Sequence, residues 1–209
     1  MSGRPFEPNE FDRETVTTLC RQAKSALRKR LGSVRRALPV AAAAERSSRI
    51  VSELLQHAWL GPAQGVALYA AISARREPDM TELHQSLQQR GVRLYYPFMD
   101  STESGYLTGF RLWRPGDILK PGSFSFAEPD RNAPLAQRGD VDVVVVPALG
   151  VTLDGHRLGS GSGFYDATLP DLCPPAKSIA VAYDFQCLME LPMESHDLPC
   201  NDVVTDTIR

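Results

Sequence analysis

Apolar residues recur every three or four positions along the first part of the chain: Leu19, Ala23, Ala26, Leu27, Leu31, Val34 and Leu38. That spacing predicts a helix over Arg13–Leu38 with one apolar face. The cations of the same stretch, Arg21, Lys24, Arg28, Lys29, Arg35 and Arg36, are expected on the opposite face, and Pro39 marks the break. A second helix is expected from Ala41 to about Ala58, before Gly61 and Pro62.

The pattern then changes from helical to extended. Gly65–Ala71 is a short apolar run that reads as a buried strand. Met80–Gln89 reads as a helix stopped by Gly91. Val92–Tyr96 and the alternating Tyr106–Phe110 read as strands, and the proline-rich stretch Pro115–Pro134 as a long ordered loop. Asp140–Val146 carries four consecutive valines, which suits a parallel strand covered on both faces. A glycine-rich turn at Gly159–Gly163 leads into a short helix to about Leu169. Ser178–Tyr183 reads as another buried strand, and Asp202–Thr205 as an edge strand. Strands alternating with helices predict an α/β sandwich around a mainly parallel sheet, with the N-terminal helical pair packed outside it.

Composition narrows this picture. The chain has 209 residues, 43% hydrophobic and 23% charged, and a net charge of -2. We expect one α/β domain over residues 13–209, preceded by a polar, disordered leader over residues 1–12. The balance of charge gives no global case for nucleic acid or an anionic membrane. No apolar stretch approaches the roughly 20 residues that span a bilayer. Cys20, Cys173, Cys187 and Cys200 form no C-x-x-C pair, so we read them as reduced thiols and the chain as cytoplasmic.

The sharpest chemistry lies in Pro147–Asp166, PALGVTLDGHRLGSGSGFYD. A buried strand ends there, and glycines follow at Gly159, Gly161 and Gly163. Glycines permit positive φ and let backbone N–H groups crowd around an anion. The start of a helix adds its dipole, at the strand ends where open α/β sheets bind ligands. A dinucleotide fingerprint would need glycine where Phe164 stands, and a P-loop would need a lysine that is absent. Arg157 offers a planar fork to phosphate or carboxylate, and Asp166 offers either a Mg²⁺ ligand or a carboxylate against the helix dipole. His196–Asp197 reads equally as a structural turn or as a metal- or substrate-orienting pair. No Ser-His-Asp or Cys-His arrangement is evident.

Arg157-Leu158-Gly159-x-Gly161-x-Gly163-Phe164-Tyr165-Asp166 resembles the R-L-G-x-G-x-G-[FY]-Y-D hallmark of the 5-formyltetrahydrofolate cyclo-ligase family. Lys24-Ser25-Ala26-Leu27-Arg28 resembles its early K-x-x-L-R helix, and Tyr96-Pro97, Phe110 to Pro129, Val144–Gly150, Ala180–Gln186, Leu191-Pro192 and His196-Asp197 resemble later blocks. The sequence departs from the family in Ala148, Ser160, Ser162 and Phe164, and most in Ala71–Arg76. The resemblance implies a Rossmann-like α/β/α fold, ATP and Mg²⁺ as cofactors, and a reduced folate as substrate of a monomer. It puts Lys24, Arg28 and Arg157 in the catalytic role. Those three, with Leu158, Gly159, Ser160, Gly161, Ser162, Gly163, Phe164 and Tyr165, would hold ATP. Glu77, Gly161, Phe164 and Tyr165 would hold folate, with Asp166 on Mg²⁺; Phe98, read from the residues alone, is a further candidate to stack on pterin or adenine. Lys24 and Arg28 stand four apart, so on one helical face. Two other readings compete with the enzyme: a paralogue that binds folate or nucleotide without turnover, and a sugar-phosphate isomerase on a related fold.

Overall fold

The computed structural model describes residues 10–103, 105–122 and 126–207. The leader expected over residues 1–12 lies, up to residue 9, outside the described residues, and helix has begun by Glu10. The elements are α1 (Glu10–Arg36), α2 (Val40–Gln56), β1 (Gly65–Ala67), α3 (Thr81–Gln89), β2 (Arg93–Thr102) and β3 (Gly105–Trp113). They continue with β4 (Lys120–Pro121), β5 (Ala127–Glu128), β6 (Val143–Pro147), β7 (Gly150–Val151) and β8 (Arg157–Leu158). α4 (Phe164–Leu172), β9 (Lys177–Val181) and β10 (Asp202–Val204) follow.

Six strands form one sheet in the order β10-β9-β6-β1-β2-β3. All neighbours are parallel except β2 and β3, which form an antiparallel hairpin. The valine run of β6 sits inside this sheet, and its side chains alternate between two cores. Val143 and Val145 pack with Val66, Leu94, Ile179, and with Ile50 and Leu54 of α2 and Leu83 and Leu87 of α3. Val144 and Val146 pack with Ala67, Tyr95, Phe110, Ala180, and with Leu169 and Leu172 of α4. A strand buried on both faces needs apolar residues at every position, which is why alternation is absent from its sequence. Each such side chain contributes about 1.5–3 kcal/mol by leaving water. The fold is thus an α/β/α sandwich, with α2 and α3 on one face and α4 on the other.

Two expectations fail here for physical reasons. β2 and β3 are much longer than their apolar cores, because the hairpin continues past β1. β1 pairs only with Arg93–Tyr95, so Pro97 lies where β2 is an edge on that side and its missing N–H costs no ladder bond. Helix α1, moreover, does not bury the apolar face read from its periodicity. Leu19 and Val34 are 58% and 48% exposed, and Ala23 and Ala26 are exposed too. The buried stripe runs instead through Lys24, Leu31 and Arg35, with Leu27, Arg28 and Leu38 half-buried. Leu31 packs on Leu149 and Leu158, just beyond the carboxyl end of β6. The helical pair therefore does not lie outside the sandwich as a unit: α2 is part of a layer, and α1 caps the strand ends.

Candidate active site

The strand ends and α1 enclose a cavity of about 550 Å³. Its floor is Pro147–Leu149 beyond β6, and one wall is the loop from Gly159 to Gly163 between β8 and α4. Gly161 and Gly163 have φ of +104° and +72°, a conformation that side chains with a Cβ rarely adopt. Gly163 is the N-cap of α4, so the positive end of that helix opens at the cavity. Phe164 and Tyr165 follow, with ring centroids 5.0 Å apart, and Phe126 meets Phe164 edge-on at 6.0 Å.

The opposite wall is α1. Arg28 donates from Nε to the Gly159 carbonyl at 3.0 Å, and its guanidinium lies 3.5 Å from where a Cβ on Gly161 would stand. Lys24, with a side chain only 7% exposed, donates to Glu194 Oε2 at 2.9 Å and to Asp197 Oδ2 at 2.5 Å. Arg21 shares Glu194 at 3.2 Å. Burial by itself would lower the Lys24 pKa, but its bonds to Asp197 and Glu194 outweigh that and raise it. The Lys24 bond holds Glu194 below the ordinary carboxylate value. Burial pushes Asp197 up, and its bonds from Lys24 and the Glu194 N–H pull it below the ordinary value.

Arg157 reaches across the loop mouth, donating to Asp166 Oδ1 at 2.6 Å and to the Leu198 carbonyl. At the other end, Glu77 accepts from Arg35 Nη2 at 3.4 Å and from the Ile72 N–H at 2.9 Å. Burial, followed by the Glu77 charge, drives the Tyr69 and Tyr165 phenols well above their ordinary value, so both stay neutral donors. The cavity thus has a cationic, amide-lined end and an aromatic end with one acceptor carboxylate.

The sequence profile of the 5-formyltetrahydrofolate cyclo-ligase family matches residues 20–206. The chain belongs to that family. A 5-formyltetrahydrofolate cyclo-ligase of Mycolicibacterium smegmatis is 32% identical over 189 residues, covering 88% of this chain and 94% of the relative. Its Escherichia coli counterpart is 28% identical over 176 residues, covering 82% and 93%. The NMR structure of Aquifex aeolicus 5,10-methenyltetrahydrofolate synthetase superposes with a TM-score of 0.75 at 29% identity, covering 88% of this chain and 90% of that one.

The cyclo-ligase motif residues converge in the cavity. Lys24, Arg28, Glu77, Arg157, Leu158, Gly159 to Gly163, Phe164, Tyr165 and Asp166 all line it. Phe98 does not. It is 1% exposed, on the sheet face beneath the Arg111 guanidinium, whose Cζ lies 4.0 Å from its ring centre. Its neighbour Pro97, pointing to the other face, lines the cavity instead, as does Phe126. The sequence reading also passed over Arg35 and Glu194, both taken up with partners in the cavity wall. A buried cation at 35 carried one signal, its place in register with Leu31 and Leu38. Glu194 carried none, because its partner is 170 positions away.

Proposed function

We propose that this chain performs the ring closure for which its relatives are named. It converts 5-formyltetrahydrofolate to 5,10-methenyltetrahydrofolate, and consumes ATP with release of ADP and phosphate. The observation that carries the reading is the convergence in one cavity of Lys24, Arg28, Arg157, the glycine loop and Glu77, from three separate stretches of chain. A triphosphate suits the cationic end, where loop amides and the α4 N-terminus add fixed dipoles. A flat pterin suits the aromatic end, where Glu77 accepts from ring and amino N–H groups.

The chemistry follows from that placement. The formyl oxygen attacks the γ-phosphorus and ADP leaves. The resulting N–CH–O–phosphoryl carbon is attacked by the nitrogen at position 10, which gives up its proton. The C–O bond then breaks, phosphate departs with the electron pair, and an amidinium remains. No protein nucleophile is needed. Lys24, Arg28 and Arg157 align the phosphates and offset the charge that shifts to the ADP oxygens. Mg²⁺ needs only one or two carboxylates when phosphate and water oxygens complete its shell, and Asp166 fits that role. Among the described residues no three metal-ligating side chains cluster. When bound, the ion would neutralise phosphate charge. We read the enzyme as a cytoplasmic monomer.

The test is the near-ultraviolet methenyl band after mixing the protein with 5-formyltetrahydrofolate, Mg²⁺ and ATP, against an ATP-free control. An ATP-dependent rise supports the proposal. A folded protein that binds folate but gives no rise is the non-catalytic paralogue.

A further inference from the structure

Arg35 occupies a position where the packing of α1 calls for an apolar residue. It follows Leu31 by one turn and is 6% exposed. Burial chiefly lowers its pKa, with the Glu77 charge opposing that. A guanidinium in such a place is destabilising unless its donors and its charge are matched. They are matched from two segments, 75–77 and 148. Nε donates to the Arg75 carbonyl at 2.9 Å, Nη1 to the Ala148 carbonyl at 3.5 Å, and Nη2 to Glu77 Oε1 at 3.4 Å. A helix that only needed anchoring would use leucine here, as it does at Leu31.

What the guanidinium does is visible at Glu77. Arg35 holds one carboxylate oxygen, and the Ile72 N–H holds the other at 2.9 Å. The following residue is fixed as well, since Tyr69 donates its hydroxyl to the Pro78 carbonyl at 2.7 Å. Each carboxylate oxygen has two acceptor sites, so one on each remains for a ligand. We infer that Arg35 is a positioning residue. Its Nη2, together with the Ile72 N–H on the other oxygen, fixes the orientation of Glu77 so that the carboxylate presents two parallel acceptors to a heterocycle with two adjacent N–H donors. It thereby sets affinity for the folate ring and not for the nucleotide, which lies at the Lys24 end. This rests on the reading of the cavity given above.

A double-mutant cycle tests it. Calorimetric binding of 5-formyltetrahydrofolate without ATP, and KM for both substrates, are measured for wild type, Arg35→Gln, Arg35→Lys, Glu77→Gln and the 35/77 double variant. Arg35→Gln should weaken folate about 10- to 100-fold, the loss that accompanies one charge-assisted hydrogen bond, and leave KM for ATP unchanged. Arg35→Lys should recover part of the loss, and adding Arg35→Gln to Glu77→Gln should cost less than about twofold more. If Gln at 35 does not fold, the cycle is run with Lys. Equal rises in both KM values, or a full additional loss on top of Glu77→Gln, overturn the inference while leaving the function intact. A wild-type chain that binds no 5-formyltetrahydrofolate overturns both.

Discussion

Helix α1 puts Lys24, Arg28 and Arg35 against the cavity, whereas the Gly159–Gly163 loop facing it contributes mainly backbone. In the function proposed above, the helix acts through side-chain identity. Each buried cation requires a partner elsewhere: Glu194 and Asp197 for Lys24, Glu77 for Arg35. In the loop, function depends on backbone shape, and the positive φ of Gly161 and Gly163 is met locally by the glycines themselves. The lesson is that the helix can be disabled by removing charge without changing shape, and the loop by changing shape without touching charge.

The largest expected effect separates these two modes. Lys24→Ala should lower kcat/KM for ATP by about 100- to 1,000-fold, as loss of one transition-state donor does. Steady-state kinetics on protein with an unchanged circular dichroism spectrum check this. Gly163→Ala should act through shape: forcing a Cβ into the left-handed region costs about 1–2 kcal/mol. That lowers the melting temperature by about 2–8 °C. Differential scanning calorimetry reads it, and ATP affinity should fall with it.

Acid should act on the helix side. Glu194 and Asp197 both sit below their ordinary values in the folded protein. In that window the unfolded chain binds more protons, so stability rises with pH. The contribution is full above the ordinary carboxylate range and disappears as pH falls through the lowered folded values. Melting temperatures between about pH 3 and pH 6 should fall less steeply in Asp197→Asn than in wild type. The smallest effect is expected at Leu19, which is 58% exposed. Leu19→Ser should change stability by no more than about 0.5 kcal/mol in urea titration. A loss of several kcal/mol would restore the apolar face read from periodicity.

The same contrast explains what was legible in the sequence. The loop was, because glycine spacing encodes a backbone conformation and every determinant lies within eight residues of Gly159. The two-faced burial of β6 was, because four valines leave no polar side. The buried stripe of α1 was not. Periodicity assumes that apolar side chains define the buried face, and Lys24 and Arg35 break that rule through partners 170 and 42 positions away. Phe98 was misassigned for a related reason. Leu94 to Met99 is buried at every position, so which residues face the cavity and which the far side cannot be read from alternation.

The Lys24 ion pairs have a consequence for biosynthesis. On the ribosome, Lys24 emerges 173 positions ahead of its partner Asp197. Throughout that interval Lys24 has neither of its counter-charges. The Lys24 end of the pocket is therefore completed only once the segment Glu194–Asp197 has been made. A nascent chain halted before Glu194 would carry the glycine loop and most of the sheet, yet would lack the contact that joins α1 to the Glu194–Asp197 segment.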